Sequence, residues 1–431
     1  MPFHAVIGGQ RGDEGKGRFV DLLAPDYSVI ARGSGGSNAG HTVVPEGMVP
    51  IALHQIPSGI AHPGKLNVIG TGVYVDPHRL ANEIKELKKA GLEVTPKSLL
   101  VSDTAHLVMP HHLALDALRE GSHKAQGSTQ SGIAYVAGDK YLREGLRVES
   151  IADPKVLFEH AYEALSRVND SLPKADRRSS DDIKKEIEAW VEASQQLKPF
   201  IADTVAVVND RLDAGELVLG EGAQAFWLDI NHGMYPSVTS SSTTVAGLLD
   251  GLGISAKHVE KVSLVVKSVK SHVGGGPFVT EITDEALADK VRGQKGATDS
   301  EYGATTKRPR RIGYPDLVEL KNAIRVNGAD ELLLTKLDHV PRYGESVKIA
   351  TAYDYNGQKR AVAPSSAAAL YDCRPIYQEM PTWQADISGV RDFANLPAEA
   401  QAFVKMFEDE LGLPVNHIGV GAERGQVITR V

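Results

Sequence analysis

Five apolar runs recur along this chain with helical patterns between them, and no other feature constrains the fold as much. The runs are HAVIGG, LNVIGTGVYV, ELVLGEGAQ, VSLVVKSV and ELLLTKLD. Several are continuous rather than alternating in hydrophobicity, as expected of strands buried on both faces. Such strands separated by helices predict an α/β fold, with a large, mostly parallel central sheet flanked by helices. One intervening segment, DPHRLANEIKELKKAGL, carries Leu80, Ile84 and Leu87 at helical spacing and ends at Gly91, which suits a helix C-terminus. The segment from about residue 151 to 200 reads as a helical insertion: a Ser/Asp start is followed by Ile183, Ile187, Trp190 and Val191 on one face, then Pro199. No repeat or linker-like tract divides the chain, so residues 1–431 are expected to form a single α/β domain.

Composition narrows the function. Hydrophobic residues are 42% of the chain, enough for a sizeable core, and the net charge of −8 argues against a nucleic-acid surface, which needs a basic face. The lone Cys373 excludes an intramolecular disulfide and fits a reducing compartment. The start, MPFHAVIGG, carries no export pattern, and no run is long and apolar enough to span a bilayer. A cytoplasmic protein that binds no membrane is expected.

Chemistry begins directly after the first apolar run, in GGQRGDEGKGRFVDLL. Backbone amides in a glycine-rich turn, a lysine and a following helix make a phosphate cradle that is P-loop-like. It is not a Walker A loop, because Gln10 replaces the first required glycine and Gly17 follows Lys16 where a Ser or Thr should stand. Asp13 inside such a cradle would be repelled by phosphate unless it binds magnesium, takes a proton, or does both. A second loop, GSGGSNAGHT, presents Asn38 and His41, and the two loops together point to acid–base chemistry on a phosphorylated ligand. His111 and His112 are adjacent, a spacing that does not predict a metal site.

In chain order, GDEGKG, NAGHT, EGAQ, VTSSSTT, GGGPFVTE, TTKRPRR within GATTKRPRR, and TKLD resemble the adenylosuccinate synthetase family, nearly end to end. The resemblance implies a GTP-dependent ligase that joins L-aspartate to carbon 6 of inosine monophosphate (IMP) through a 6-phosphoryl intermediate, in purine biosynthesis. It implies Asp13, His41 and Gln224 as catalytic residues, and magnesium held by Asp13 and the Gly40 carbonyl. For GTP it implies Gly12, Glu14, Gly15, Lys16 and Gly17 at the phosphates, with Lys336, Asp338 and Gly421 around the base. Asp338 can accept from the two donors on guanine's Watson–Crick edge, a pair that adenine lacks. IMP is expected to meet Asn38, Thr129, Gln224, Thr239, Val273 and Arg308, together with Arg143 reaching across a homodimer interface. Thr305, Thr306, Arg308 and Arg310 are implied for the dicarboxylate amino acid, whose recognition suits arginine forks.

The departures from the family pattern cluster in the substrate loops. Ser34, Ser37, Gln130, Ser131, Ala134, Tyr135, Lys307, Pro309 and Gly419 replace usual residues, and Arg11 stands where tryptophan is common. The arginine absent at position 131 is one the family uses to assist aspartate binding. Two other readings therefore stay open. One is a sibling ligase using another 6-oxopurine nucleotide or amino donor, and Asp13 argues against relatives that accept a 2-aminopurine. The other is a non-catalytic GTP-binding module, against which the joint presence of Asp13, Lys16 and His41 argues.

Overall fold

The computed structural model describes residues 2–43, 51–122, 128–297, 300–303 and 308–430. Its centre is a ten-stranded sheet. In chain order the strands are β1 (Phe3–Gly8), β2 (Val29–Arg32), β3 (Leu66–Ile69), β4 (Leu99–Ser102), β5 (Ile201–Ala202), β6 (Val218–Glu221), β7 (Val259–Lys267), β8 (Glu331–Thr335), β9 (Val415–Gly419) and β10 (Val427–Thr429). Across the sheet they run β10-β9-β8-β7-β1-β6-β2-β3-β4-β5, and every pairing is parallel except β9 with β10. The expected α/β class is therefore the observed one.

From β1 the chain builds outward through β2 to β5, returns with β6 beside β1, and then builds the other way from β7. The order reverses around β1, and the carboxyl ends of strands at such a reversal open a crevice suited to a ligand. β1, β6 and β8 are buried along their whole length, which is why their sequences read as unbroken apolar runs.

One run is not the single strand its sequence predicts. LNVIGTGVYV divides into β3 and a short strand Tyr74–Val75 of another sheet. The glycines between them lie against backbone: a Cβ on Gly72 would sit 2.1 Å from the Gly33 oxygen, and one on Gly70 2.7 Å from the Gly251 oxygen. VSLVVKSV does fall on a single strand, β7, which begins before it and ends at Lys267; Lys270–His272, beyond the run, pairs elsewhere, with Arg311–Gly313.

The helix over the DPHRLANEIKELKKAGL segment is Pro77–Lys89, capped by Asp76, whose carboxylate accepts from the Arg79 amide at 3.1 Å; Gly91 beyond it takes the left-handed φ of 87°. Helices Pro154–Ser171 and Ser180–Gln195 lie within residues 151–200. Ile183, Ile187 and Trp190 are buried there, and Trp190 Nε1 donates to the Val108 oxygen at 3.0 Å. Among the described residues, no helix is long and apolar enough to cross a membrane.

Burial sets an acid limit on this fold. It lowers the pKa of His4, His106 and His111 to about 4 and that of His272 to about 3. Unfolded histidine titrates near 6.5, so on acidification the unfolded chain takes up protons first. Stability is expected to be complete above about pH 7 and to fall between about pH 6.5 and 3, by roughly 2 kcal/mol at pH 5 for each of His4, His111 and His272 and by less for His106, whose charge solvent partly screens. Urea melts at pH 7.5 and 5 check this: an equal midpoint at both would count against the neutral burial of these rings.

Candidate functional site

At the carboxyl edge of β1 and its neighbours lies one cavity of about 880 Å³. The first loop enters it in strained form. Gly12 and Gly15 have φ of 97° and 94°, and Asp13 between them has φ of 59°, a left-handed conformation that side-chain-bearing residues seldom adopt. Gln224, Lys336 and Arg143 share that conformation, with φ of 52°, 60° and 65°, so four of the residues expected in the site hold it. Gly12, Asp13, Gly15, Lys16 and Gly17 all line the cavity. Gly17 is required by packing, because a Cβ there would lie 2.8 Å from that of His41.

Glu14 turns inward and is fully buried. Its carboxylate accepts from the Gln10 and Gly12 amides at 3.2 and 2.8 Å, and Lys16 Nζ donates to it at 2.9 Å. This carboxylate thus organises the loop, and the backbone is the part of Glu14 that can meet a phosphate. Asp13 faces the cavity and pairs with Arg310, Nη2 to Oδ2, at 2.7 Å.

Gly40 and His41 line the same cavity. His41 Nδ1 bonds to Glu221, a fully buried acid at the end of β6. Burial lowers the His41 pKa, opposed by Glu221. Burial would raise the Glu221 carboxyl, yet His41, Arg32 and the Ser58 amide hold it down at about 2. Ser58 N and Oγ donate to it at 2.7 and 2.9 Å. With Nδ1 engaged, Nε2 is the ring nitrogen of His41 left for a ligand.

Asn38, Gln224 and Thr239 are brought together: Gln224 Nε2 donates to Asn38 Oδ1 at 3.2 Å, and Asn38 Nδ2 to Thr239 Oγ1 at 3.4 Å. These three, with Thr129 and Val273, line the cavity. Lys336 lines the cavity too, and two residues on is Asp338, outside the lining and three-quarters buried, whose pKa burial raises. Arg18 ties the loop of Gly421 to the helix behind Lys16, donating to the Gly421 oxygen at 2.6 Å.

Other expected residues fall outside the cavity lining. Arg308 is exposed, on an arm where its oxygen accepts from the Gly303 amide at 2.9 Å. Thr305 and Thr306 lie outside the described residues. Arg143 sits on an exposed turn away from its own chain's cavity, beside Tyr141 and Leu142, which are 80% and 64% exposed.

Several departures acquire partners. Arg11 donates to Glu319 through Nε at 3.2 Å and through Nη2, and to the Pro277 oxygen at 2.7 Å. Burial would raise the Glu319 carboxyl, but Arg11 and Lys270 hold it down at about 2. Ser131 accepts from Arg79 Nη1 at 2.9 Å, so a guanidinium stands beside the position that lacks one.

The two histidines do meet a carboxylate, at 3.1 Å from His111 Nε2 and 2.9 Å from His112 Nε2 to Asp139 Oδ2. His112 Nδ1, however, accepts from the Met109 amide at 3.0 Å. Its proton is therefore on Nε2, directed at Asp139, and the ring is wired as a hydrogen-bond donor rather than a metal ligand.

Sequence reasoning passed over Glu221 and Glu301, both fully buried. Glu221 has a signal in retrospect, an acid closing an apolar run. Glu301 has none: Arg310 is nine positions away, but Ser271 and Lys336 are 30 and 35 positions away.

The family model for adenylosuccinate synthetase matches residues 5–428. The chain belongs to this family. Adenylosuccinate synthetases of Halothermothrix orenii and Saccharopolyspora erythraea are 42% and 41% identical to it, covering 99% and 100% of this chain and 98% and 99% of theirs. The fully ligated adenylosuccinate synthetase of Plasmodium falciparum superposes with a TM-score of 0.86 at 31% identity, covering 99% of both chains. A cyanophage S-2L succinoaminodeoxyadenylate synthetase bound to dGMP and dATP shares the fold, with a TM-score of 0.59 at 19% identity over 99% of this chain and 95% of its own.

Proposed function

We propose that the cavity performs the family's reaction as one catalytic unit formed by the whole chain: GTP-dependent condensation of IMP with L-aspartate to adenylosuccinate, GDP and phosphate. The observation that carries this reading is that Asp13 and His41 line one cavity together with the Asn38–Gln224–Thr239 cluster and Lys336. In it, Asp13 takes the proton from purine N1, so that charge gathers on O6 for attack on the γ-phosphorus. His41, oriented by Glu221, faces the transferring phosphoryl group through Nε2, where negative charge favours the protonated ring. The aspartate amine then displaces phosphate at carbon 6.

Lys16 and the loop amides hold GTP phosphates, and Gln224, Asn38, Thr129, Thr239 and Val273 hold IMP. Arg310 meets the amino-acid carboxylates, with Thr305, Thr306 and Arg308, and Arg79 supplies positive charge beside Ser131. Magnesium fits the donor set, because the Asp13 carboxylate and Gly40 carbonyl are hard oxygen donors lining one cavity. When bound it supplies charge that screens the phosphates. Exposed Tyr141 and Leu142 beside Arg143 support a homodimer in which Arg143 serves the partner's IMP. The single, buried Cys373 supports a cytoplasmic location.

Phosphate release that requires GTP, IMP and aspartate together tests the reading; release with a different purine nucleotide or amine, and none with these, would replace it with the sibling-ligase reading. Base choice has its own test. Asp338→Asn puts a donor against guanine's donors and is expected to weaken GTP use by about tenfold to a hundredfold. Xanthosine triphosphate, which has an acceptor at that position, should gain on GTP in the variant. An unchanged GTP preference would place base recognition elsewhere.

A further inference from the structure

Glu301 is fully buried, yet three cations converge on it. Lys336 Nζ pairs with Oε1 and Arg310 Nη1 with Oε2, while Lys267 Nζ lies 3.7 Å from Oε2 and Ser271 Oγ donates to Oε2 at 2.6 Å. Burial would raise its pKa, but Lys267, Lys336 and Arg310 hold it well below the usual carboxylate range. Arg310 continues through its other terminal nitrogen to Asp13. Its own amide donates to the Glu301 oxygen at 3.0 Å, so these two residues close opposite ends of one loop. Lys336 comes from elsewhere, at the end of β8.

We propose that Glu301 is a positioning residue that couples the guanine end of the cavity to the end that receives the amino acid. The inference rests on the roles given above to Lys336 and Arg310. Each of these cations serves a different substrate, and each is held by a different oxygen of the same carboxylate. A ligand carboxylate that orders Arg310 therefore orders Glu301, and through it Lys336, so the second ligand finds its cation already placed. Coupling of this kind is reciprocal: GTP must favour amino-acid binding by the same factor.

The test is a grid of initial rates over GTP and aspartate at saturating IMP, with the full-length enzyme. In the parent, the KM for GTP is expected to fall about fivefold as aspartate is raised to saturation. In Glu301→Gln, the KM values for GTP and aspartate should each rise about tenfold, and the dependence of one on the other should vanish. The KM for IMP should stay within about twofold, since Asn38, Gln224 and Thr239 do not touch Glu301. Glu301→Asp keeps the charge but shortens its reach by one methylene, and should show intermediate coupling. Should the amide variant fail to fold, the Asp variant decides alone, with parental coupling overturning the proposal. Parental coupling in Glu301→Gln, or an IMP effect as large as the other two, also overturns it, the latter by reducing Glu301 to general support. A parent that releases no phosphate with the three substrates speaks against the functional reading, whereas an active parent without coupling speaks against Glu301.

Discussion

Asp13→Ala is expected to lower the ligation rate by about three to four decades while GTP binding stays measurable. General-base catalysis supplies roughly 10²–10⁴ in rate, and here the same carboxylate is also the counter-ion of Arg310 and a proposed magnesium ligand. The backbone complicates the variant, because alanine tolerates the left-handed φ of 59° at this position less well than aspartate does. Asp13→Asn is therefore the better control: asparagine accepts that conformation and has the carboxylate's shape, but it is not a base. Both variants should bind a fluescent-labelled GTP analogue within about tenfold of the parent, since the loop amides and Lys16 remain. Loss of turnover in both would place the defect in the carboxylate's basicity and charge rather than in the backbone. Near-parental turnover in Asp13→Asn would remove Asp13 from the general-base role, and loss confined to Asp13→Ala would make its contribution conformational.

That loop also shows how far the sequence could be read. Its glycines, Lys16 and Asp13 are neighbours in the chain, and local chemistry alone marks them as a phosphate cradle with an acid inside. The central strands were legible for a similar reason: residues buried on both faces leave an unbroken apolar run. Short strands with a polar member, such as β2 ending in the buried Arg32, give no such signal. Glycines that read as part of a strand in LNVIGTGVYV instead mark a close backbone crossing, which only the packing of Gly33 and Gly251 reveals.

What stayed hidden are pairings between residues far apart in the chain. His41 and Glu221 are 180 positions apart, and Arg11 and Glu319 are 308 apart. A buried charge must be paired or it costs several kcal/mol, so Arg11 in the loop required an acid somewhere. Nothing local identifies Glu319 as that acid. The inward turn of Glu14 was hidden too, because a loop acid reads equally well as a ligand contact or as an internal brace.

Arg143 offers the clearest test of how many chains make one site. If it serves the partner's cavity, Arg143→Leu and Asp13→Ala are each inactive as pure dimers but complement one another when mixed. In a hybrid dimer, the cavity with intact Asp13 belongs to the Arg143→Leu chain and receives its arginine from the Asp13→Ala chain. The other cavity carries both lesions. Free exchange of equal amounts makes half the dimers hybrid, each with one working cavity of two, so activity should recover to about a quarter of the parental value. Subunit exchange is confirmed separately, by native mass measurement of tagged chains. Recovery near a quarter would establish both the dimer and the crossing arginine, because Tyr141 and Leu142 would then lie where the two chains meet. Exchange without recovery would mean that Arg143 serves its own chain or no site at all, and those two side chains would need another reason for being 80% and 64% exposed.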